Sequence, residues 1–496
     1  MDNDQNGAHG DCPAVPPCRQ SWTVPVCAAD SREDGLSFEN WLKEQETGLR
    51  RFDDRPLPDI LRERSMPLPL WVRRPLTDPP EKAADAVRLA ASQRSRNGFC
   101  VYIHVPFCCS HCGYCDCYAF PITPARVQEL SAYPDLLCRE IEWWGAGLPF
   151  LRERPLSTIH FGGGTPLTLG VPGLQRVLSG LNSFFKVDEK TEIALESTSS
   201  DLNENVLDEL MRIGFSRLHI GVQTLSDPIR FRIGRKESGE RVLEKIRYAV
   251  RKGWIVSTDV IIGLPGYTER EILPDIKMMS DAGVEGISIY ELVRSPRNRA
   301  FFERHGILDP DIEAMWRQYQ YAFWLADSLG FSHRVYNHMA RGRDENRYFT
   351  APARGEDLLS FGTIADGFFG DYLYRHSELA DYRRSVISGK PGLEGGMTRT
   401  ERESCYARLE RELRGGKPLP EPFVEILGAE RALRLFETWI ARGYLKVTGD
   451  EEGTEMLPNG SWFIQKMLDE AWREQEQHAA HGSFPCACSL MPVRKQ

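Results

Sequence analysis

Short apolar runs alternate with longer segments of helical period between Cys100 and about residue 330 of this 496-residue chain. Six successive β/α units predict a parallel sheet with right-handed crossovers. Nearly continuous apolar strands indicate a sheet that is buried on both faces. An open sheet and an incomplete barrel both fit, and in either case ligands are expected at the carboxyl ends of the strands. The strand candidates are 100–105, 157–163, 191–197, 216–222, 255–263 and 286–293, and the helix candidates lie near 125–145, 171–185, 203–213, 240–252, 269–282 and 311–329.

The regions on either side of these units differ in composition. Residues 1–97 are rich in Pro, Arg and Asp and are predicted to be a partly irregular extension, with one helix at 37–52. A core domain is predicted over 98–330, a substrate-covering C-terminal domain over 331–475 and a tail over 476–496. The C-terminal domain should be mostly helical over 398–470, with a strand pair at 444–448 and 453–457. The Gly- and aromatic-rich segment 355–375 is predicted to be a substrate-facing loop.

Composition limits the classes of partner. Charged residues make up 27% and hydrophobic residues 41% of the chain, as in soluble globular proteins. The net charge of -9 leaves no basic excess to neutralise phosphates, so nucleic acid is not an expected partner. The first residues do not resemble a secretory signal, and no apolar run approaches the roughly 20 residues of a membrane span. We therefore expect a cytoplasmic protein, in which dense cysteines bind metal or act in catalysis more often than they form disulfides.

Five of the 13 cysteines lie in the stretch FCCSHCGYCDCYAF at 107–120. The spacing Cys108-x3-Cys112-x2-Cys115 offers three thiolates on one short loop. A structural zinc site needs four ligands, commonly as two separated pairs, and no second pair follows at that distance. An iron–sulfur cluster accepts closely spaced thiolates. Three ligands would leave one iron without a protein ligand, and an open metal position is typical of catalytic sites.

These residues resemble a known family. The pattern YIHVPFC at 102–108, the following cysteines and HFGGGTP at 160–166 are similar to the radical S-adenosylmethionine (SAM) superfamily. The resemblance is to the group typified by oxygen-independent coproporphyrinogen III dehydrogenase, which includes haem chaperones, anaerobic haem-degrading enzymes and small-molecule methyltransferases. It implies a partial (β/α)6 radical SAM barrel with a small, mostly helical C-terminal domain. Further matching segments are 214–225, 233–235, 257–266 and 358–372.

The resemblance also implies cofactors and the residues that bind them. Cys108, Cys112 and Cys115 would hold a [4Fe–4S] cluster, and SAM would chelate the open iron. One electron, from a donor such as flavodoxin or ferredoxin, would split SAM into methionine and a 5′-deoxyadenosyl radical, and the protein would position and shield this chemistry. The residues implied to surround SAM are Tyr102, Gly163, Gly164, Thr165, Glu196, Gln223, Arg235 and Asp259.

Several of these residues also have a purely structural interpretation. Gly162 to Thr165 could form an ordinary glycine-rich turn, and Glu196 could be a surface carboxylate at a strand end. A carboxylate inside an apolar strand needs a polar partner, so Asp259 could serve a structural pair as well as a site. His104 is interpreted as a core histidine with satisfied hydrogen bonds.

Other cysteines and a second cofactor site are also considered. Cys109 and Cys117 are predicted to be small buried hydrophobes. Some members of the group bind a second SAM, and its walls here would be 290–296 and 361–372. Two groups of cysteines near the chain ends are interpreted as tail thiols: Cys12, Cys18, Cys27, Cys486 and Cys488.

Three functions are compatible with the sequence. The first is transfer of a SAM-derived methyl or methylene carbon to an unsaturated carbon of a small molecule. The second is oxidative decarboxylation of a porphyrinogen propionate, and the third is haem delivery by a chaperone without turnover. Residues 67–80, PLPLWVRRPLTDPP, carry Trp71, Arg73 and Arg74 but lack the tyrosine-containing segment that the resemblance attributes to the decarboxylating enzyme. This difference favours carbon transfer.

Overall fold

The computed structural model describes residues 30–65, 70–94, 97–109, 112–304, 311–448 and 453–481. The tail cysteines considered above lie outside these described residues. Of the predicted tail, 476–496, the structure describes only the residues up to His481. In the described part of the chain, no helix is both long and apolar enough to cross a membrane.

Helices follow most strands of the sheet and make up most of the C-terminal region. They are α1 (Asp30–Arg50), α2 (Leu57–Leu61), α3 (Leu70–Arg73), α4 (Pro80–Ser92), α5 (Val127–Gly147), α6 (Gly170–Phe184), α7 (Glu204–Arg212), α8 (Asp227–Arg232), α9 (Gly239–Arg251), α10 (Glu269–Asp281), α11 (Arg299–Arg304), α12 (Ile312–Ser328), α13 (Arg347–Thr350), α14 (Leu379–Ile387), α15 (Glu401–Arg414), α16 (Pro420–Leu427), α17 (Ala429–Ala441), α18 (Pro458–Trp462) and α19 (Ile464–His481).

The strands are mostly short. They are β1 (Phe99–Val105), β2 (Phe107–Cys108), β3 (Phe120–Pro121), β4 (Leu156–Gly163), β5 (Glu192–Thr198), β6 (Arg217–Gln223), β7 (Ile255–Ile262), β8 (Gly286–Glu291), β9 (Ser332–Val335), β10 (His338–Ala340), β11 (Asp357–Phe361), β12 (Asp366–Phe369), β13 (Tyr372–His376), β14 (Leu393–Thr398), β15 (Leu445–Val447) and β16 (Thr454–Met456).

One mixed sheet organises the molecule. In the described residues its twelve strands follow the order β14-β13-β12-β11-β1-β4-β5-β6-β7-β8-β10-β9. Strands β1 and β4 to β8 run parallel, with β11 parallel to β1 on the other side. The six predicted β/α units are confirmed, and they form a partial barrel that is extended at both edges by antiparallel strands.

Local sequence explains where these elements begin and which face is buried. Thr268 and Glu271 form a reciprocal capping box that begins α10. On β1, Val101, Ile103 and Val105 are fully buried against the helical layer, whereas Tyr102 between them is half-buried on the inner face. This alternation follows from the two-residue period of a strand and separates an apolar outer face from an inner face that carries the polar groups.

Some expectations outside the six units need correction. The predicted loop at 355–375 is wrong, because this segment forms most of the antiparallel hairpins β11, β12 and β13. The predicted helix at 37–52 and the strand pair near 444–457 are confirmed. The extension also contains α4, which buries Val87 and three alanines against β13 and β14. The division at residue 330 stays a prediction, and the sheet includes strands from both sides of it.

A buried ion-pair network fills the base of the barrel. Arg217, about 1% exposed, donates from Nε to Asp344 Oδ1 at 2.8 Å and from Nη2 to Ser257 Oγ at 2.8 Å. Asp344 also accepts from His338 Nε2 at 2.9 Å. Ser257 in turn contacts His219 Nδ1 at 2.9 Å. The network therefore links the base of the barrel to the polar groups on the inner face above it.

Candidate active site

The cysteine loop is fixed against the end of β4 by backbone hydrogen bonds. Gly164 N–H donates to the Val105 carbonyl at 2.8 Å, and Thr165 N–H donates to the Phe107 carbonyl at 2.7 Å. A Cβ atom at Gly164 would lie 2.6 Å from the Phe107 carbonyl oxygen, so only glycine permits this approach. The Thr165 hydroxyl lies 3.5 Å from Cys108 Sγ. These contacts place Cys108 at the carboxyl end of the sheet.

The other side of the loop is held by residues that follow β6 and β8. Arg235 Nη2 donates to the Tyr114 hydroxyl at 2.6 Å. The Tyr114 carbonyl accepts from Asn298 Nδ2 at 2.9 Å, and Gly113 N–H donates to the Ile233 carbonyl at 3.3 Å. Arg235, which the resemblance assigns to SAM, therefore also anchors the cysteine loop.

The predicted ligand thiols lie close enough to influence one another. Burial raises the pKa of Cys108 to about 11, and the neighbouring Cys115 and Cys112 thiols add to this rise. Burial also raises the pKa of Cys112, although the Arg235 charge opposes it. The Cys115 pKa falls to about 6 because the Cys117 side chain and N–H donate to its sulfur. The three thiols thus form one electrostatically connected group.

The two extra cysteines of the loop differ from expectation. Cys109 and Cys117 are both exposed, so their interpretation as buried small hydrophobes is wrong. The loop follows the carboxyl end of β1, and in the described part of the chain neither cysteine joins the packed core. Cys117 donates its N–H to Cys115 Sγ at 3.4 Å and supports a predicted ligand.

Tyr102 and His104 share the inner face of β1. The Tyr102 hydroxyl lies 3.0 Å from His104 Nδ1, and His104 Nε2 lies 3.3 Å from the Tyr118 carbonyl. Burial lowers the pKa of His104 to about 4, so the ring is neutral. The ring then donates from Nε2 and accepts at Nδ1, and the interpretation of His104 as a satisfied core histidine agrees with the structure. Gly163, with φ of +108°, leaves room for this imidazole.

Glu196 is oriented by an aromatic stack. His160 Nε2 donates to Glu196 Oε1 at 2.9 Å. Burial would raise the pKa of Glu196, but the His160 contact outweighs it and holds the pKa at about 2. The His160 ring stacks on Tyr348 with centroids 4.5 Å apart, and Tyr102 stacks on Tyr348 at 5.1 Å. A third of the Glu196 side chain is exposed, so the carboxylate is oriented yet accessible.

Gln223 and Asp259 form one hydrogen-bonded unit at the end of β6. Gln223 adopts φ of +63°, a strained value for this residue type, at a break in the β6–β7 register. The break allows both Val222 N–H and Gln223 N–H to donate to Asp259 Oδ1, at 2.7 and 3.2 Å. Gln223 Nε2 donates to the same carboxylate at 3.0 Å. Asp259 therefore has the polar partners expected for it.

Several residues at this site escaped the sequence analysis. His160 lies two positions before Gly162, so the two-residue period of a strand puts both on the same face of β4. This spacing could have identified His160 as a residue of the site. His219 lies 3.9 Å from Asp259 Oδ2 and belongs to the inner face of β6. Tyr348 is on the four-residue helix α13, which begins after Asn346 in a left-handed conformation, and no periodic pattern marks it.

The comparisons with known proteins agree with this geometry. Residues 102–279 match the model described as the radical SAM superfamily. The structure superposes on coproporphyrinogen III oxidase (HemN) from Escherichia coli with a TM-score of 0.68, 21% sequence identity and coverage of 82% of this chain and 99% of that one. Residues 102–279 are therefore similar to a radical SAM domain, and the chain has the α/β fold of HemN.

Curated relatives define the group more narrowly. Anaerobilin synthase of Escherichia coli O157:H7 is 27% identical over 72% of this chain and 80% of its own length. Oxygen-independent coproporphyrinogen III oxidase of Salmonella typhimurium is 27% identical over 62% of this chain and 69% of its own. Heme chaperone HemW of Synechocystis is 29% identical, over 64% and 72%. The chain is thus similar to radical SAM proteins of the HemN-like group.

The residues present fit the cofactors that the family implies, a [4Fe–4S] cluster and SAM. Among the residues described, no three His, Cys, Asp or Glu side chains converge on a single metal ion. A cluster does not need such convergence, because each thiolate binds a different iron. In the described part of the chain, Gln223 Oε1, Arg235 Nε and His160 Nδ1 are buried without hydrogen-bond partners. Such polar atoms around a thiol loop suit a polar ligand.

Proposed function

We propose that this protein cleaves SAM reductively and transfers a SAM-derived methyl or methylene carbon to an unsaturated carbon of a tetrapyrrole. The observation that carries the first part is the three-thiol loop, which is held between Gly164 and Arg235 at the carboxyl end of the sheet. The tetrapyrrole class is suggested by the names of the curated relatives, which refer to coproporphyrinogen III, heme and anaerobilin.

The roles of the residues follow from their contacts. Cys108, Cys112 and Cys115 would hold the cluster, which when bound supplies the electron that cleaves SAM. The ionised Glu196 carboxylate would accept hydrogen bonds from hydroxyl groups of SAM, because His160 occupies only one of its oxygens. Gln223 would present its free amide oxygen as an acceptor, since its Nε2 is committed to Asp259. The stacked rings of Tyr102 and Tyr348 would form one wall of the SAM site and exclude water there.

Carbon transfer ranks first because residues 67–80 lack the segment that the resemblance attributes to the decarboxylating enzyme. Within that region, Arg74 Nη2 donates to the Thr398 carbonyl and to Glu403, each at 2.9 Å. Arg74 is thus committed to β14 and α15 instead of a substrate. Oxidative decarboxylation of a porphyrinogen is the second candidate, favoured by the similarity in fold to HemN. A haem chaperone is the third, because HemW relatives exist.

The test is a nucleoside analysis of anaerobically reconstituted protein with SAM and dithionite. We expect 5′-deoxyadenosine from the wild type and from Cys138→Ala, a matched control outside the loop. Cys112→Ala should lose both the visible absorption of the thiolate-bound cluster and the product. Absence of any SAM-derived nucleoside despite a full cluster would refute the proposal.

The same assay separates the candidates when a tetrapyrrole is added. Carbon transfer should release S-adenosylhomocysteine beside 5′-deoxyadenosine and increase the mass of the tetrapyrrole. Decarboxylation should release carbon dioxide without a homocysteine product. A chaperone should bind haem stably and cleave little SAM. A flavodoxin or ferredoxin that replaces dithionite would identify the class of electron donor. A second bound SAM, with walls at 290–296 and 361–372, would appear as a stoichiometry of two in equilibrium dialysis.

A further inference from the structure

Asp366 and Arg375 form a cross-strand pair on the inner face of the antiparallel extension. Asp366 on β12 pairs directly with Arg375 on β13. The strand register puts Ser360 beside Tyr102, and Asp366 follows on the next strand, so the pair lies on the same face as the Tyr102 ring. With adjacent strands about 4.8 Å apart, Asp366 lies about 10 Å from Tyr102. The Asp366 charge acts on Tyr102 and Tyr348, which agrees with this placement.

The pair is accessible and its hydrogen bonds are incomplete. The side chains of Arg375 and Asp366 are 32% and 35% exposed, whereas Tyr374 and His376 on the opposite face are fully buried. Arg375 Nε lies 3.6 Å from Asp366 Oδ1 and 3.6 Å from Glu394 Oε2, beyond the range of a hydrogen bond. Among the residues that the structure describes, Arg375 Nε and Asp366 Oδ1 are buried without hydrogen-bond partners.

A structural ion pair of the same sheet gives a contrast. Asp357, at the start of β11, accepts from Arg94 Nε and from Arg154 Nη2, each at 2.6 Å. Both of its oxygens are used and it is fully buried. Arg375 and Asp366 lack this close geometry. The exposed parts of these two side chains can instead contact a group that enters the space beside Tyr102.

The chemistry of the pair identifies the group that it would bind. A guanidinium presents parallel N–H donors that match the two oxygens of a carboxylate. Burial raises the pKa of Asp366 to about 7, although the Arg375 charge opposes the rise. In its protonated form the Asp366 carboxyl can donate a hydrogen bond to the same carboxylate. Glu394 is half-exposed and its charge is screened by solvent.

We propose that Arg375, supported by Asp366, binds a carboxylate side chain of the substrate and thereby orients it against the Tyr102 wall. This inference rests on the proposed function, because it takes the substrate to be a tetrapyrrole with carboxylate side chains. It adds a pair of specificity-determining residues on β12 and β13, two and three strands from Tyr102, which is about 10 to 15 Å by the strand spacing.

The test compares binding of coproporphyrin III and its tetramethyl ester to reconstituted, SAM-loaded protein, measured by porphyrin fluorescence in dilute detergent. We expect Arg375→Gln to weaken binding of the acid at least about tenfold, the factor expected for a lost charged hydrogen bond. Binding of the ester should be unchanged. Arg375→Lys keeps the charge but lacks the parallel N–H donors of a guanidinium, so it should give an intermediate loss of affinity for the acid. Arg383→Gln, on the exposed surface of α14, removes the same charge and should match the wild type.

Three results would overturn the assignment. Arg375→Gln could bind the acid as tightly as Arg383→Gln does, it could lose acid and ester equally, or the wild type could bind neither. The iron content of each variant reports whether it is folded. If Arg375→Gln does not fold, Arg375→Lys takes its place as the test variant. Formation of 5′-deoxyadenosine by the wild type is scored separately. Failure of porphyrin binding with intact SAM cleavage is thereby distinguished from failure of the proposed radical chemistry.

Discussion

Replacing Glu140 by glutamine should destabilise the protein by about 3–5 kcal/mol, the usual cost of breaking a buried charge pair. Glu140 extends from α5 into the back of the sheet and is about 1% exposed. Its carboxylate accepts from His376 Nε2 at 2.8 Å, Tyr382 OH at 2.8 Å, Gly362 N–H at 3.0 Å and Gly392 N–H at 3.3 Å. Glu140 thus links β11, β13 and α14 to α5.

The magnitude follows from the number of donors. Four donors converge on two carboxylate oxygens, and a glutamine can offer only one oxygen while its amide nitrogen would face donors. His376 also donates from Nδ1 to the Ala365 carbonyl at 2.8 Å, so both ring nitrogens carry hydrogens and the ring is an imidazolium. Without the carboxylate, this buried cation loses its counter-charge. It must then either deprotonate and lose a hydrogen bond or remain charged without compensation.

The effect should depend on pH in a defined direction. Burial disfavours the imidazolium, but the Glu140 contact outweighs it and raises the pKa of His376, while Glu140 itself has a lowered pKa. Stability from a raised histidine pKa is complete below the unfolded value of about 6.5 and is lost as the pH rises through the folded pKa. The difference between wild type and Glu140→Gln should therefore be larger at pH 6 than at pH 9.

The assay is urea unfolding followed by circular dichroism at both pH values. Glu142→Gln is the matched control, because Glu142 is an exposed residue of the same helix. It should change the free energy of unfolding by less than about 0.5 kcal/mol. If Glu140→Gln behaved like this control, or if the pH trend ran the other way, the buried ion pair would not have the role argued for it.

Three further substitutions test how the site is held. Gly164→Ala should displace the cysteine loop, because the new Cβ would lie 2.6 Å from the Phe107 carbonyl oxygen, and bound iron should fall severalfold in an iron assay. Gly180→Ala, where the new Cβ meets only the Cys138 and Ile141 side chains at 3.6 and 3.9 Å, should instead stabilise α6 by about 0.5–1 kcal/mol in thermal unfolding. Tyr114→Phe removes the acceptor of Arg235 and should cost about 1.5–3 kcal/mol of loop stability, seen as faster cluster loss to a chelator.

How much of the site was predictable depends on how local its determinants are. The predicted ligand cysteines lie within eight residues, and glycines that permit close backbone approach follow a strand, so linear spacing was enough to propose both groups. The backbone break at Gln223, which turns two N–H groups toward Asp259, depends on the register between β6 and β7. A register of that kind is set by packing across strands and leaves no mark in the spacing of a single segment.

The sequence by itself determined the six β/α units, because apolar periodicity is a local property that the sheet and helices simply satisfy. It also located the cysteine loop and predicted the class of chemistry that we propose. Only the tertiary structure decided that 355–375 joins the sheet as antiparallel strands, because pairing with β1 and α5 supplies its buried partners. The same holds for the Tyr348 stack and the Asp366–Arg375 pair. Their members lie on different elements, and contacts between distant segments form only when the barrel brings those elements together.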